Sequence, residues 1–363
     1  MITLRHVSKV YDGSAPAVDN LSLEIEDGQI VVLVGPSGCG KTTTLKMINR
    51  LIEPTSGEIV VNGRNVLDQD PVELRRGMGY VIQSIGLLPH RTIRQNIATV
   101  PDLLGWDRQR IQARINELAE MLRLDPGLLD RYPGELSGGQ RQRVGVARGL
   151  AADPPVMLMD EPFGAVDPII RERLQDQFLE IQRELKKTIV FVTHDVDEAI
   201  KMADRIAILN IGAVVEQYDA PEAILSEPAS EFVKEFVGLE RGLKRLSLIK
   251  VADIEVEEGP MVAPTDDVPT ALAEMERSGV GWASVIEEGR LLGWVDPGCL
   301  EGMTSVGQYP PRRFSATVTD RSSLREALDT IVTSRTNVAV VVTDGGRYRG
   351  VLTLEKLTRE LIA

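Results

Sequence analysis

Gly35-Pro36-Ser37-Gly38-Cys39-Gly40-Lys41-Thr42 follows the apolar run Ile30–Val34 and precedes a helical pattern that begins near Lys41. The octet fits G-x-x-x-x-G-K-[ST], the pattern of a phosphate-binding loop between a strand and a helix. Its glycines let backbone N–H groups turn inward around phosphate oxygens, and the helix N-terminus adds a favourable dipole. In such a loop Lys41 reaches the β- and γ-phosphates, the Thr42 hydroxyl is a Mg²⁺ ligand, and Thr43 completes the phosphate contacts. A chance match somewhere in a chain of this length is on the order of one percent. The strand–loop–helix setting lowers that figure further, so the octet is a nucleoside triphosphate site. Cys39 inside it is a small packing residue before it is a redox group, although a thiol at a helix N-terminus can react with alkylating agents when ATP is absent.

Working outward, residues 2–10, 21–25 and 30–34 read as strands, followed by a strand pair at 57–61 and 78–82. Residues 92–152 are mainly helical, with turn signals at Asp125-Pro126 and Tyr132-Pro133-Gly134. Short continuous apolar runs at 156–159, 188–192 and 206–209 suit buried parallel strands of an α/β sheet. One of them ends in Asp160-Glu161, which places both acids at the sheet's carboxyl edge, where α/β proteins bind ligands. Alone, a strand ending in two acids is most often a solvated strand end. Beside a phosphate loop, Asp160 suits Mg²⁺ and Glu161 suits activation of an attacking water.

Leu136-Ser137-Gly138-Gly139-Gln140 stands directly before the helical Arg141-Gln142-Arg143. Ser137 and two glycines at a helix start form a second phosphate cradle. Here the sequence resembles the ABC ATPase family, whose signature is this pentapeptide followed at short distance by the Asp-Glu pair. The resemblance covers residues 1–240 and implies a head-to-tail dimer in which Ser137, Gly138, Gly139 and Gln140 of each chain cover the ATP of the other. It implies that Tyr11 stacks on adenine, and that Gln83 senses Mg²⁺ and the attacking water beside the membrane-domain contact. Gly164-Ala165-Val166-Asp167 resembles the loop that links the two sites, with Gly where many members carry Ser, and Asp167 is its matched position. His194 matches the switch histidine that holds the γ-phosphate. The site set is thus Glu161, His194 and Gln83 for catalysis, Thr42, Gln83 and Asp160 for the metal, and Tyr11, residues 35–43, Ser137–Gln140 and Asp167 for ATP.

Composition limits the partners. The chain has 363 residues, a formal net charge of -13 and 4% aromatics. That charge argues against bulk binding to nucleic acid and against a polybasic membrane anchor. No run approaches the ~20 apolar residues of a membrane helix, and the first residues lack a signal-peptide pattern. The two cysteines are too few for a disulfide framework. These features place the chain in the cytosol, at the cytoplasmic face of a membrane if another polypeptide supplies the membrane part.

Residues 241–252, overlapped by the basic stretch LERGLKRLS at 239–247, read as a linker, and the remainder repeats. Thr265-Asp266, Ala271-Leu272, residues 283–286 and Gly293-Trp294-Val295 recur as Thr319-Asp320, Ala327-Leu328, residues 339–342 and Gly350-Val351-Leu352. Units 253–310 and 311–363 are too small to be stable apart and should pack on each other. They resemble a tandem CBS pair, whose clefts often take adenine nucleotides. The nucleotide-type motif Gly-x-(Ser/Thr)-x-(Asp/Asn) is altered here. The second unit has Thr353 but Glu355 for the acid and one extra residue, and the first lacks the hydroxyl.

The expected fold is therefore α/β: a P-loop NTPase ABC ATPase domain with a mixed-sheet core, an antiparallel β subdomain and a helical subdomain, then an α+β tandem CBS-like domain. Residues 83–101 (QSIGLLPHRTIRQNIATVP), Leu104-Gly105-Trp106 and Tyr132-Pro133-Gly134-Glu135 resemble the glycine betaine/carnitine/choline importers. That resemblance implies transmembrane permease subunits, an extracytoplasmic substrate-binding protein and a second copy of the chain. The altered tail has two readings, a purely structural or dimerising one and a regulatory one responding to ionic strength or to an adenine nucleotide such as cyclic di-AMP. Three rivals are an importer of amino acids or another small solute, a soluble ABC ATPase of DNA repair or translation, and a nucleotide sensor centred on the tail. The second usually needs two cassettes or long coiled-coil insertions, and this chain has one phosphate loop and no long heptad run.

Overall fold

Alternating apolar and polar residues in β1 (Ile2–Lys9) and β2 (Val18–Ile25) bury Ile2, Leu4 and Val7 against Leu21, Leu23 and Ile25. This is the pattern of antiparallel strands with one wet face. The computed structural model describes all residues except 14, 83–85, 165, 239, 335 and 363, together with the side chains of 361 and 362. Two compact units divide the chain, Met1–Gly238 and Leu239–Ala363.

In the first unit β3 (Ile30–Val34) leads through the glycine loop into α1 (Lys41–Ile48), and β4 (Ser56–Val61), β5 (Arg64–Asn65), α2 (Pro71–Arg76) and β6 (Met78–Val81) follow. Next come α3 (Ile93–Ile97), α4 (Thr99–Leu103), α5 (Arg108–Met121) and α6 (Gly138–Leu150). Then β7 (Val156–Asp160), α7 (Pro168–Leu185), β8 (Thr188–Val192), α8 (Val196–Met202), β9 (Arg205–Asn210), β10 (Val214–Asp219), α9 (Pro221–Ser226) and α10 (Glu231–Val237) complete it. One antiparallel sheet has the order β2-β1-β4-β5, and the larger sheet has the order β10-β9-β3-β8-β7-β6. Neighbours from β9 to β6 are parallel and only β10 is antiparallel. Every residue of β3, β7 and β8 is buried, which is why these strands read as continuous apolar runs. Side chains of both sheets and of α1 share one core.

The segments at 57–61 and 78–82 do not pair. β4 lies beside β1 in the antiparallel sheet, and β6 is the parallel edge strand beside β7. Hydrophobic pattern fixes which face of a strand is buried, not its partner.

In the second unit α11 (Arg241–Leu248) precedes two similar repeats. The first holds β11 (Met261–Val262), α12 (Val268–Ser278), β12 (Ala283–Glu287) and β13 (Arg290–Val295). The second holds β14 (Thr317–Thr319), α13 (Leu324–Thr333), β15 (Val338–Val342), β16 (Tyr348–Thr353) and α14 (Leu354–Ile362). Each repeat pairs its short first strand parallel and its last two antiparallel. β11 and β14 are too short to show a period in sequence. Residues 241–252 are not an open linker, because Leu246 and Val251 are fully buried in the core of the second repeat.

The repeats exchange edges. Glu257 trades two backbone hydrogen bonds of 3.0 and 2.9 Å with Val351, and Trp294 trades two of 2.8 and 2.9 Å with Arg312. Gly293 (φ 154) and Gly350 (φ 152) occupy matching positions, where a Cβ would fall 2.4 Å from the Arg312 carbonyl oxygen and 2.6 Å from that of Glu257. Only glycine permits both the backbone angle and the approach.

Candidate active site

The loop between β3 and α1 closes tightly on itself. Gly40 caps α1 at φ 108, and a Cβ there would lie 2.4 Å from the Ala17 carbonyl oxygen. The Lys41 side chain is buried, and a buried ammonium needs partners. It finds them in the loop, donating from Nζ to the carbonyls of Gly35 at 2.7 Å and Pro36 at 3.0 Å. Cys39 is fully buried with Sγ 3.7 Å from Lys41 Nζ. Thr42 Oγ1 donates to Asp160 Oδ1 at 3.0 Å and joins the first turn of α1 to the end of β7. Thr43 follows in that turn.

Burial pushes the Asp160 carboxyl above the usual carboxylate range, opposed by the Thr42 hydrogen bond and reinforced by the neighbouring charge of Glu161. Glu161 sits in the left-handed region at φ 45 and donates its backbone N–H to the Val192 carbonyl at 2.9 Å. Such a backbone for a non-glycine residue costs about 1–2 kcal/mol. His194 Nδ1 lies 2.9 Å from Glu161 Oε1. The loop leaves β3, the acids leave β7 and His194 follows β8, and these three strands are consecutive in the sheet. The fold thus gathers Lys41, Thr42, Asp160, Glu161 and His194 at one carboxyl edge.

Ser137 caps α6 through a capping box, with Gln140 N donating to Ser137 Oγ at 3.3 Å and Ser137 N donating to Gln140 Oε1 at 2.8 Å. α6 packs on the edge strand β6, three strand spacings from β3 (about 14 Å at ~4.8 Å each). Among the described residues no hydrogen bond or ion pair joins Ser137, Gly138, Gly139 or Gln140 to the loop at 35–42. Nothing lies within 4 Å of a Cβ added at Gly138, whereas one at Gly139 would come 3.1 Å from Ile170. Asp167 caps α7 by accepting from Ile169 N at 3.0 Å, and Ile169 is 70% exposed. Tyr11 is exposed, with Lys9 Nζ 5.2 Å from its ring centroid. Gln83 and Ala165 lie outside the described residues.

Sequence reading missed a set of contacts behind the site. Arg171 Nη2 donates to the Val166 carbonyl at 3.0 Å, and Nη1 lies 3.8 Å from Asp195 Oδ2. Gln175 Nε2 donates to Glu198 Oε1 at 3.0 Å, both side chains being buried. The available signal was spacing: Arg171 and Gln175 stand four apart on α7, on one face of the helix.

No group of three or more His, Cys, Asp or Glu is arranged to hold a metal among the described residues. Two hard oxygens at Thr42 and Asp160 nonetheless suit Mg²⁺, which takes one or two protein ligands and completes its shell with phosphates and water. In the tail the Thr353 hydroxyl is occupied, donating to Glu257 Oε1 at 3.3 Å and accepting from Lys356 N at 3.2 Å. Among the described residues no helix is long and apolar enough to cross a membrane.

Residues 18–164 match the ABC transporter family profile, and residues 306–363 match the CBS domain profile. The chain is 48% identical over 337 residues to the osmoprotectant import ATP-binding protein OsmV of Salmonella typhimurium, covering 92% of this chain and 88% of that one. It is 52% identical over 305 residues to the choline transport ATP-binding protein OpuBA of Bacillus subtilis, covering 82% and 78%. The dimeric structure of MJ0796, a bacterial ABC transporter cassette, aligns with a TM-score of 0.55 at 35% identity, over 61% of this chain and 99% of that one. A second structure of MJ0796, a post-hydrolysis dimer bound to ADP and Pi, aligns equally well.

Proposed function

The chain belongs to the ABC transporter family as an ATP-binding subunit, and from that membership we propose that it drives an importer of glycine betaine, choline or carnitine-type osmoprotectants. Its chemistry is the hydrolysis of ATP. The observation that carries this is the pairing of Thr42 with Asp160 beside that of Glu161 with His194, at the edge where the phosphate loop opens. The cargo class is supported by relatives that match nearly the whole chain.

The residues divide the work. Backbone N–H groups of residues 35–43 and Lys41 bind the phosphates, and Tyr11 offers its exposed ring to the base. Thr42, Asp160 and Gln83 would hold Mg²⁺, which would supply neutralisation of charge on the phosphate oxygens. Glu161 accepts the proton of the attacking water, and His194 holds the Glu161 carboxylate and the γ-phosphate. Phosphoryl transfer asks for positioning and charge stabilisation more than covalent chemistry. A second copy lays Ser137, Gly138, Gly139 and Gln140 over each ATP, and Asp167 lines the contact between sites. Three features support that dimer: α6 packs on the far strand β6, Gly138 faces open space, and Ile169 is exposed beside Asp167.

Closure and reopening of the dimer drive transmembrane permease subunits through the Gln83 region, with an extracytoplasmic binding protein delivering the solute. The chain sits peripherally on the cytoplasmic membrane face. The CBS-like tail adjusts the closed dimer in response to ionic strength or an adenine nucleotide such as cyclic di-AMP. A structural tail is the second reading, favoured by the engagement of Thr353 with Glu257.

The test is ATP hydrolysis by the lipid-reconstituted complex, challenged with solutes and their binding proteins. Stimulation by betaine, choline or carnitine is expected. Stimulation by amino acids or sugars alone would sink the cargo class and leave the ATPase standing.

A further inference from the structure

Two contacts tie the helix that follows the Asp-Glu strand to the helix that follows His194. Arg171 lies in the first turn of α7, four residues past the Asp167 cap, and grips the Val166 carbonyl through Nη2. Asp195, next to His194, caps α8 by accepting from Asp197 N and Glu198 N through Oδ1. Its other oxygen, Oδ2, is the one 3.8 Å from Arg171 Nη1. That distance exceeds hydrogen-bond range, and Arg171 Nε is buried without a hydrogen-bond partner. The guanidinium is therefore seated between the two elements, with one arm hydrogen-bonded and the other at ion-pair distance. Deeper in the core, the Gln175–Glu198 hydrogen bond, between side chains 5% and 6% exposed, keeps α7 and α8 in register.

We propose that Arg171 is a positioning residue that couples the loop before α7 to His194 through Asp195. When the loop ending at Asp167 shifts against the second copy, Arg171 moves with Val166, closes on Asp195, and adjusts the seat of the His194 imidazole on Glu161. Occupancy of one ATP site thereby alters hydrolysis at the other. This rests on the dimeric ATPase reading above.

The experiment compares the full chain with Arg171→Met, Asp195→Asn and the double variant, following ATP hydrolysis against ATP concentration. Asn keeps the α8 cap, so Asp195→Asn should fold with an unchanged thermal midpoint. Each single change should lower kcat about tenfold with KM within about twofold, and the Hill coefficient should fall toward one. The double variant should be no slower than the slower single one, as for two ends of one contact. Arg171→Lys, which keeps the charge but not the fork, should fall between wild type and Arg171→Met. Losses that multiply in the double variant, a KM that rises in step with the loss of kcat, or a wild-type Hill coefficient of one would overturn the coupling. A wild-type chain that stays monomeric with ATP would remove the dimer reading as well, whereas a dimer with multiplicative losses removes only the coupling.

Discussion

His194 Nδ1 meets Glu161 Oε1 at 2.9 Å across the ends of two adjacent strands, 33 positions apart in the chain. The Glu161 backbone is held in place by the same strand that leads to His194, through its N–H on the Val192 carbonyl. Glu161→Gln keeps the shape and loses the base. It should yield an ATP-bound dimer on sizing chromatography, with phosphate release at least about tenfold slower. A monomer in ATP, or unchanged release, would count against the assignment.

Asp160 gives a prediction of opposite sign for folding and for catalysis. Because burial raises its folded-state pKa, the proton-linked stability is present below the usual carboxylate range and is lost as pH rises through the folded value. At pH 7 the ionised group is a cost that Asp160→Asn removes. Calorimetry without nucleotide or Mg²⁺ should show an equal or higher midpoint, while Mg²⁺-dependent hydrolysis drops about 100-fold or more.

Glu198 follows the same sign rule, its carboxyl raised chiefly by burial and only partly relieved by hydrogen bonds from Thr193 and Gln175. Glu198→Gln keeps an acceptor for Gln175, so turnover should stay within about twofold. Its midpoint should exceed that of wild type at pH 7, and the gap should narrow as pH falls toward the carboxylate range. A gap that widens on acidification would contradict the burial argument.

Gly138→Ala tests what the open space at that position is for. The chain has room for the Cβ, so the midpoint should move by no more than about 2 °C, within the range of a surface change. Hydrolysis should fall at least about tenfold, because the methyl would face the second copy's nucleotide. Full activity would mean that the signature loop does not close on a phosphate.

Gly350→Ala should act on the tail alone. A Cβ at φ 152 would press on the Glu257 carbonyl, destabilising that unit by about 2 kcal/mol or more. Limited proteolysis should cut the second unit faster while residues of the first remain protected.

The sheet strands of the site were legible because each is a short, fully buried apolar run followed by its chemistry. Ile30–Val34 before the glycine loop and Thr188–Val192 before His194 needed no tertiary information. Partnership was not legible: nothing local in residues 57–61 says that they lie beside β1 rather than β6. The Arg171–Asp195 and Gln175–Glu198 contacts were also hidden, since each joins residues whose separation the fold alone abolishes. The absorption of Leu246 and Val251 into the tail's core was masked by the basic residues around them, which read as solvated linker.

The edge exchange between the repeats is symmetric in space but not in time. Arg312 is made 18 residues after Trp294 (312 − 294), whereas Val351 is made 94 residues after Glu257 (351 − 257). At ~5–20 residues per second the second wait is about 5 to 19 s, during which the Glu257 backbone cannot yet pair with Val351. The growing chain therefore makes the Trp294–Arg312 pair first and the Glu257–Val351 pair last, so the edge of β13 is covered early in synthesis while the backbone groups of Glu257 wait several seconds for the strand they will cover.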